Sequence, residues 1–297
     1  MRPKQIWREL KTFALRRYTN ARLFFTFLLR GEREPRIVFI HIPKTGGNSA
    51  VRHVARRVGY RRTGRSAHLS EIPWEPQITP ERLTLANNAF FVWGHMSFLT
   101  AASLAPGRRT FTYTFLREPK SRIWSMYRHA NTHQVKMPVA PTHPIYDALE
   151  RCATMSPEEF FLSEEYPFRF LVDNFMVRQF ATKLTDYPIA EDRWPALLEQ
   201  AKANLAKVDF VGFQDTYDAD FRALAPHLYM PVPKVVPRDN PALAGDERAM
   251  PAFTDPRVAE TVENLVKWDS ALYRFAVERF QRPRHGGGVA VAAGDPL

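Results

Sequence analysis

Lys44-Thr45-Gly46-Gly47-Asn48-Ser49 follows the apolar run Arg36 to Ile42 (RIVFIHI) after a single proline, Pro43, and residues in this order can hold an anion. A strand that runs through a glycine loop into a helix leaves the first helical amides unpaired, with the positive end of the helix dipole behind them. Glycines let a phosphate-like group approach the backbone. Lys44 adds a full charge, and Thr45 and Ser49 add hydroxyls. The lysine precedes the glycines, so the segment departs from the nucleoside-triphosphatase order G-x-x-x-x-G-K-[ST].

Two further groups stand at strand ends. Arg117 closes the run Thr110 to Leu116 (TFTYTFL), the place where open α/β sheets bind ligands. Ser121 and Ser125 are four apart on the helix expected from Lys120 to Ala130, on a face separate from Ile123 and Tyr127. Both hydroxyls can therefore meet the anion that the planar fork of Arg117 would grip. His95 follows Gly94 after the short strand Phe90 to Trp93. An imidazole there can take a proton near neutral pH, or simply cap the strand. His41, beside the loop, reads as structural, and His129, His133 and His143 as surface or acceptor-side residues.

The elements that must position these groups alternate. After the loop, Val51, Val54, Ala55 and Val58 form a helical stripe that Gly59 ends. Residues 60 to 88 read as loop, and His133 to Pro144 as a proline- and histidine-rich loop. Helices are expected over Pro157 to Leu162, Phe170 to Phe180, Pro195 to Lys207, Ala219 to Leu228 and Pro256 to Phe280, with a strand at Phe210 to Phe213. Strands alternating with helices predict an α/β fold: a three-layer, P-loop-like domain with a central parallel sheet flanked by helices. That domain is expected over residues 36–282, with a basic helical segment at 1–35 and a disordered tail at 283–297.

The chain carries 42 Lys and Arg against 31 Asp and Glu, a net charge of +11 that suits an anionic ligand or surface. Cys152 is the single cysteine, so no intrachain disulfide forms, and its neighbours point to packing rather than nucleophilic chemistry. The longest apolar run, Ala21 to Leu29, is shorter than the ~18 residues a membrane span needs and contains Arg22. Charges recur through Arg17 with no small-residue cleavage site after them, so the expected location is cytoplasmic. Residues 1–30 can also be read as a basic amphipathic helix making peripheral membrane contact.

Taken together, the Lys44 to Ser49 loop and the Arg117/Ser125 segment resemble the sulfotransferase superfamily: the first its 5′-phosphosulfate loop, the second its 3′-phosphate motif, an Arg followed eight residues later by a Ser. Phe90-Phe91-Val92-Trp93-Gly94-His95-Met96-Ser97-Phe98-Leu99 looks like the His-Gly-His-x-x-Phe-Leu segment of the membrane-type carbohydrate branch, which includes heparan sulfate 2-O-sulfotransferase. Val208 to Phe213 and Trp268 to Tyr273 are similar to weaker family landmarks, and the likeness spans residues 36 to 280. It implies that Lys44, Thr45, Gly46, Gly47, Asn48 and Ser49 hold the 5′-phosphosulfate of 3′-phosphoadenosine 5′-phosphosulfate, that Arg117 and Ser125 hold its 3′-phosphate, and that His95 is the base. Trp93 stands where the first histidine of His-Gly-His would be, so any role of that histidine is not carried over. The implied acceptor is a hydroxyl of a saccharide or glycolipid.

An anionic acceptor would be drawn by the arginines at 52, 56, 57, 61, 62 and 65, which lie on the first helix and the loop after it. No metal is expected, since the sulfuryl group carries less charge than a terminal phosphate and no carboxylate–histidine cluster has ligand spacing. A nucleotide-dependent phosphotransferase and a basic nucleic-acid-binding protein are the rival readings. The misplaced lysine argues against the first, and the absence of a nucleic-acid motif against the second.

Overall fold

The structure, a computed structural model, describes residues 34–58, 66–75, 77–104, 106–132, 146–236 and 250–281, together with Ala14. Apart from Ala14, the segment read as a membrane-contacting helix lies outside the described residues, as do the 133–144 loop, the 283–297 tail, Arg61, Arg62 and Arg65, and the side chains of Arg56 and Arg57.

β1 (Arg36–Ile40) is buried along its whole length. Its side chains alternate between two cores, Ile37 and Phe39 to one side and Val38 and Ile40 to the other. A central strand covered on both faces needs this two-sided apolar character. α1 (Gly47–Val58) follows, burying Ala50, Val51 and Val54 in the core shared with Ile37 and Phe39. β2 (Ser66–His68), α2 (Pro80–Asn88), β3 (Phe91–Gly94), α3 (Phe98–Ala102), β4 (Thr110–Leu116) and α4 (Pro119–Thr132) complete the first half. Next come α5 (Tyr146–Cys152), α6 (Pro157–Leu162), α7 (Tyr166–Val172), α8 (Phe175–Ala181), α9 (Trp194–Leu205), β5 (Phe210–Phe213), α10 (Tyr217–Leu224) and α11 (Pro256–Phe280).

The described strands form a five-stranded sheet ordered β2-β3-β1-β4-β5, every pair parallel. α1 and α10 cover one face, while α4, α8, α9 and α11 supply the larger core on the other. This is the layered α/β architecture expected from the alternation of elements. Among the described residues no helix is long and apolar enough to cross a membrane.

Three expectations change. Residues 60–88 are not all loop, because they contain β2 and α2. β2 is three residues at the sheet edge, too short to show a period. α2 buries only Ala86, so its apolar stripe is faint, and its start is marked instead by Thr79, whose hydroxyl caps the amide of Arg82, and by Pro80. The helix expected over Phe170 to Phe180 is two helices, broken at Asp173 and Asn174, with Asn174 left-handed at φ +41°. Tertiary contacts hold that break: Asn174 Oδ1 accepts from the amides of Trp268 and Asp269 at 2.8 and 3.1 Å. The Asp269 carboxylate in turn accepts from Met176 N and Val177 N in the first turn of α8. Third, the helix expected over Ala219 to Leu228 is α10 from Tyr217 to Leu224, then a 3-10 turn at Ala225–Leu228.

Arg122, fully buried on α4, joins these helices by donating to the carbonyls of Leu171 and Val172 at the end of α7. Burial, only partly offset by Asp269, brings its pKa down to about 10, so it remains a cation at neutral pH.

Candidate active site

The loop after β1 is built on two left-handed residues, Lys44 at φ +69° and Gly46 at φ +85°. For lysine this conformation costs roughly 1–2 kcal/mol, a strain the surrounding packing must sustain. Gly46 and Asn48 are exposed while Ser49 is buried at the start of α1. Thr45 is fully buried and donates its hydroxyl to the carbonyl of Ile42 at 2.9 Å, so its proton braces the loop. Gly47 is required for a steric reason. A Cβ there would lie 2.3 Å from Cδ2 of His41 and 2.7 Å from Phe39, so only glycine lets α1 begin on top of the His41 ring.

Arg117, at the end of β4, reaches the same loop. Its Nη1 donates to the carbonyl of Lys44 at 3.3 Å and its Nε to Ser121 Oγ at 2.9 Å. Glu118 caps α4 by accepting from the amides of Lys120 and Ser121. Ser125 is half-buried one turn beyond Ser121, on the side of α4 away from the buried Ile123 and Tyr127. Burial and the neighbouring Arg117 guanidinium lower the Lys44 ammonium to about 8. Two cations thus share one side of a loop whose amides also favour negative charge.

His95 is reached through Gly94, whose φ of +147° no other residue adopts readily. A Cβ at Gly94 would lie 1.8 Å from the carbonyl oxygen of Leu69. This close approach lets the chain after β2 run on beside β3, with Leu69 N donating to Trp93 O and Glu71 N to His95 O, each at 3.0 Å. The chain then turns at Ile72–Glu75 and carries Glu75 back over the imidazole. Glu75 Oε1 lies 2.8 Å from Nδ1 of His95, and Oε2 lies 3.9 Å from Nε2 of His68. Burial pushes the Glu75 carboxyl up, but the charge and hydrogen bond of His95, a hydrogen bond from Ser70 and the charge of His68 outweigh it and bring the carboxyl to about 2.

His41 is buried between Phe39 and His95, its ring centroid 4.7 Å from that of His95. Burial first, then the charges of His95, His68 and Lys44, drive its pKa well below the ordinary range, so it is neutral at physiological pH. Trp93 is half-buried with its ring 4.3 Å from His68. Gln179, fully buried on α8, donates to the carbonyls of both His41 and Met96, tying the ends of β1 and β3 together.

The fold therefore brings Lys44, Arg117 and His95 to the carboxyl end of one sheet. Glu75, His68 and Gln179 belong to the same constellation, and no local signal marks any of them. Glu75 sits in a stretch that reads as loop, twenty residues from its partner, and Gln179 makes its contacts at separations of 138 and 83 residues. His129 is half-buried on α4, whereas His133 and His143 lie outside the described residues.

No family model matches the sequence. Among curated proteins, the chain is 25% identical over 286 residues to heparan-sulfate 6-O-sulfotransferase 2 of Danio rerio, covering 84% of this chain and 59% of that protein. The chain thus spans about three-fifths of the length of the curated relative it matches. The match is thus to a carbohydrate sulfotransferase, the kind of protein the motifs resemble. The relative is named for 6-O- rather than 2-O-sulfation. Among solved structures, a mouse sulfotransferase, SULT7A1 complexed with PAP, aligns with 84% of this chain and 86% of its own at 13% identity and a TM-score of 0.36.

Proposed function

We propose that the chain is a sulfotransferase that moves a sulfuryl group from 3′-phosphoadenosine 5′-phosphosulfate to a hydroxyl of a carbohydrate acceptor. The observation that carries the reading is the convergence on one sheet end of a cation-bearing glycine loop, a second cation from the next strand and a histidine hydrogen-bonded to a carboxylate. Lys44, Gly46, Gly47, Asn48 and Ser49 take the 5′-phosphosulfate in this reading, with the Thr45 hydroxyl bracing their loop instead of donating to the anion; Arg117 and Ser125 take the 3′-phosphate, and His95 accepts the acceptor's proton.

The residues fit such a donor. The amides at the start of α1 and Lys44 meet the charge that grows on the leaving oxygen, as oxyanion donors do. The acceptor oxygen forms its bond to sulfur as the bond from sulfur to the 5′-phosphate oxygen breaks, and the hydroxyl proton passes to the imidazole. The products are a sulfate ester and 3′,5′-adenosine bisphosphate. Positioning and electrostatics carry most of the acceleration in group transfers of this kind. The similarity to a heparan-sulfate sulfotransferase supports a saccharide acceptor. The net charge of +11 favours an anionic one.

The test joins calorimetric titration with 3′,5′-adenosine bisphosphate to transfer assays with labelled donor. The acceptors are saccharides, phenols, a steroid and a tyrosine peptide, each at low and high salt. Binding of the bisphosphate and salt-sensitive transfer to anionic saccharides are expected. Transfer confined to phenols or peptides would sink the carbohydrate reading, and failure to bind the bisphosphate would sink the donor assignment.

A further inference from the structure

The strongest unassigned feature is the carboxylate beside His95. Glu75 has three partners, Ser70 and two histidines, and the histidines differ in kind. Its contact with His68 is 3.9 Å, a charge contact, whereas its contact with His95 Nδ1 is 2.8 Å, a full hydrogen bond. A carboxylate has no hydrogen to give, so Nδ1 of His95 is the donor and Nε2 is left as the nitrogen with the lone pair.

The structure assigns Glu75 the role of positioning residue for His95: its carboxylate fixes the imidazole's orientation and selects the tautomer in which Nε2 can accept a proton. The assignment deepens the sulfotransferase reading and rests on His95 being the base.

Glu75 is not there to hold its own turn. The backbone of Ile72–Glu75 is closed by Glu75 N donating to Ile72 O at 2.9 Å. The Gln77 side chain adds donations to the carbonyls of Ile72, Pro73 and Glu75. Trp74 anchors the turn in the core, 7% exposed and edge-on to Phe170. With the turn secured by Gln77 and Trp74, the Glu75 carboxylate can serve His95. Its low pKa keeps it an anion, and therefore an acceptor, throughout the range in which His95 would work. The imidazole is 18% exposed, open enough to meet an acceptor and enclosed enough for one hydrogen bond to set its orientation.

A carboxylate that only filled space would be replaceable by its isosteric amide. Glutamine at this position keeps the shape but can donate as well as accept, so it no longer enforces the tautomer. In a Ser-His-Asp site the equivalent change, which leaves geometry intact, lowers turnover by about 10⁴-fold.

The experiment compares wild type with Glu75→Gln by two readouts. Long-range proton–nitrogen spectra of histidine-labelled protein at about pH 8.5, above the histidine range, report the His95 tautomer without any turnover. A His95→Gln variant identifies the signal. Wild type is expected as the Nδ1–H form and Glu75→Gln as a mixture or the Nε2–H form. In transfer assays Glu75→Gln is expected to lower kcat by between about 10- and 10⁴-fold, with acceptor KM, bisphosphate affinity and melting temperature near wild type. An Nε2–H tautomer in wild type, an unchanged tautomer in Glu75→Gln, or a kcat within about threefold of wild type would each overturn the assignment. Should wild type bind no bisphosphate and transfer no sulfuryl group, the sulfotransferase reading fails instead, and the spectra alone decide whether Glu75 sets the tautomer.

Discussion

Arg117 donates from Nη1 to the backbone carbonyl of Lys44 at 3.3 Å, which brings two cationic side chains from the ends of β4 and β1 against one loop. Like charges held together and partly buried oppose folding of the ligand-free protein, and an anion between them would remove that opposition. The loop is arranged for a ligand at the cost of stability.

That arrangement predicts a stabilising variant. With a pKa of about 8 in the fold against the ordinary lysine value of 10.5, Lys44 carries its charge at neutral pH under penalty. The sign follows from linkage: the unfolded chain binds the extra proton between those two values, so stability rises with pH through that window. Lys44→Met is therefore expected to raise the ligand-free stability at pH 7 by up to about 2–3 kcal/mol, a melting shift of several degrees. The gain should fade as pH climbs from 8 towards 10.5, and the stabilisation by 3′,5′-adenosine bisphosphate should shrink. Calorimetric melting across that range, with and without the bisphosphate, checks both.

The same group sets an alkaline limb on activity. kcat/KM for the donor reports ionisations of the free enzyme. It is expected to fall above about pH 8 as Lys44 loses its proton. kcat, measured with the donor bound beside Lys44, should hold to higher pH because an anion favours the charged ammonium. Lys44→Arg keeps the charge at all working pH and should erase the limb in kcat/KM. A limb that survives in Lys44→Arg would belong to another group.

For Arg117, whose Nε is already oriented by Ser121, the prediction concerns discrimination between two donors. Arg117→Ala should weaken binding of the 3′-phosphorylated nucleotide by roughly 1.5–3 kcal/mol, about 10- to 10²-fold. Adenosine 5′-phosphosulfate, lacking the 3′-phosphate, should lose far less. Ser121→Ala should show a smaller loss with the same preference. Equal binding of the two nucleotides by wild type would remove the 3′-phosphate assignment.

Gly94 tests the backbone beneath the base. Gly94→Ala puts a methyl 1.8 Å from the Leu69 carbonyl oxygen at a φ of +147°. It is expected to destabilise the fold by more than about 3 kcal/mol, since both the clash and the backbone strain must be relieved. Denaturant unfolding measures the loss. A variant as stable as wild type would mean that the chain after β2 can move off β3, which the ladder at Leu69 and Glu71 argues against.

What the sequence determined alone was whatever is contiguous in it. The loop Lys44 to Ser49 is one strand, one turn and one helix start, and each reads from its own residues: β-branched runs, glycines, a helical stripe. Arg117 with its two serines is equally local, as is the alternation that predicts a parallel sheet. Only the tertiary structure decided what crosses between segments. The turn at Ile72–Glu75 could read only as loop, because nothing in it signals that Glu75 must meet His95, and the crossing exists only because Gly94 lets the backbone of Leu69 come close. The break at Asn174 is held by the amides of Trp268 and Asp269, more than ninety residues away, so helical periodicity runs straight through it. Local propensity is a property of neighbours in the chain. The pairing of a base with its carboxylate, and of one cation with another, is a property of which strand ends the sheet order sets side by side.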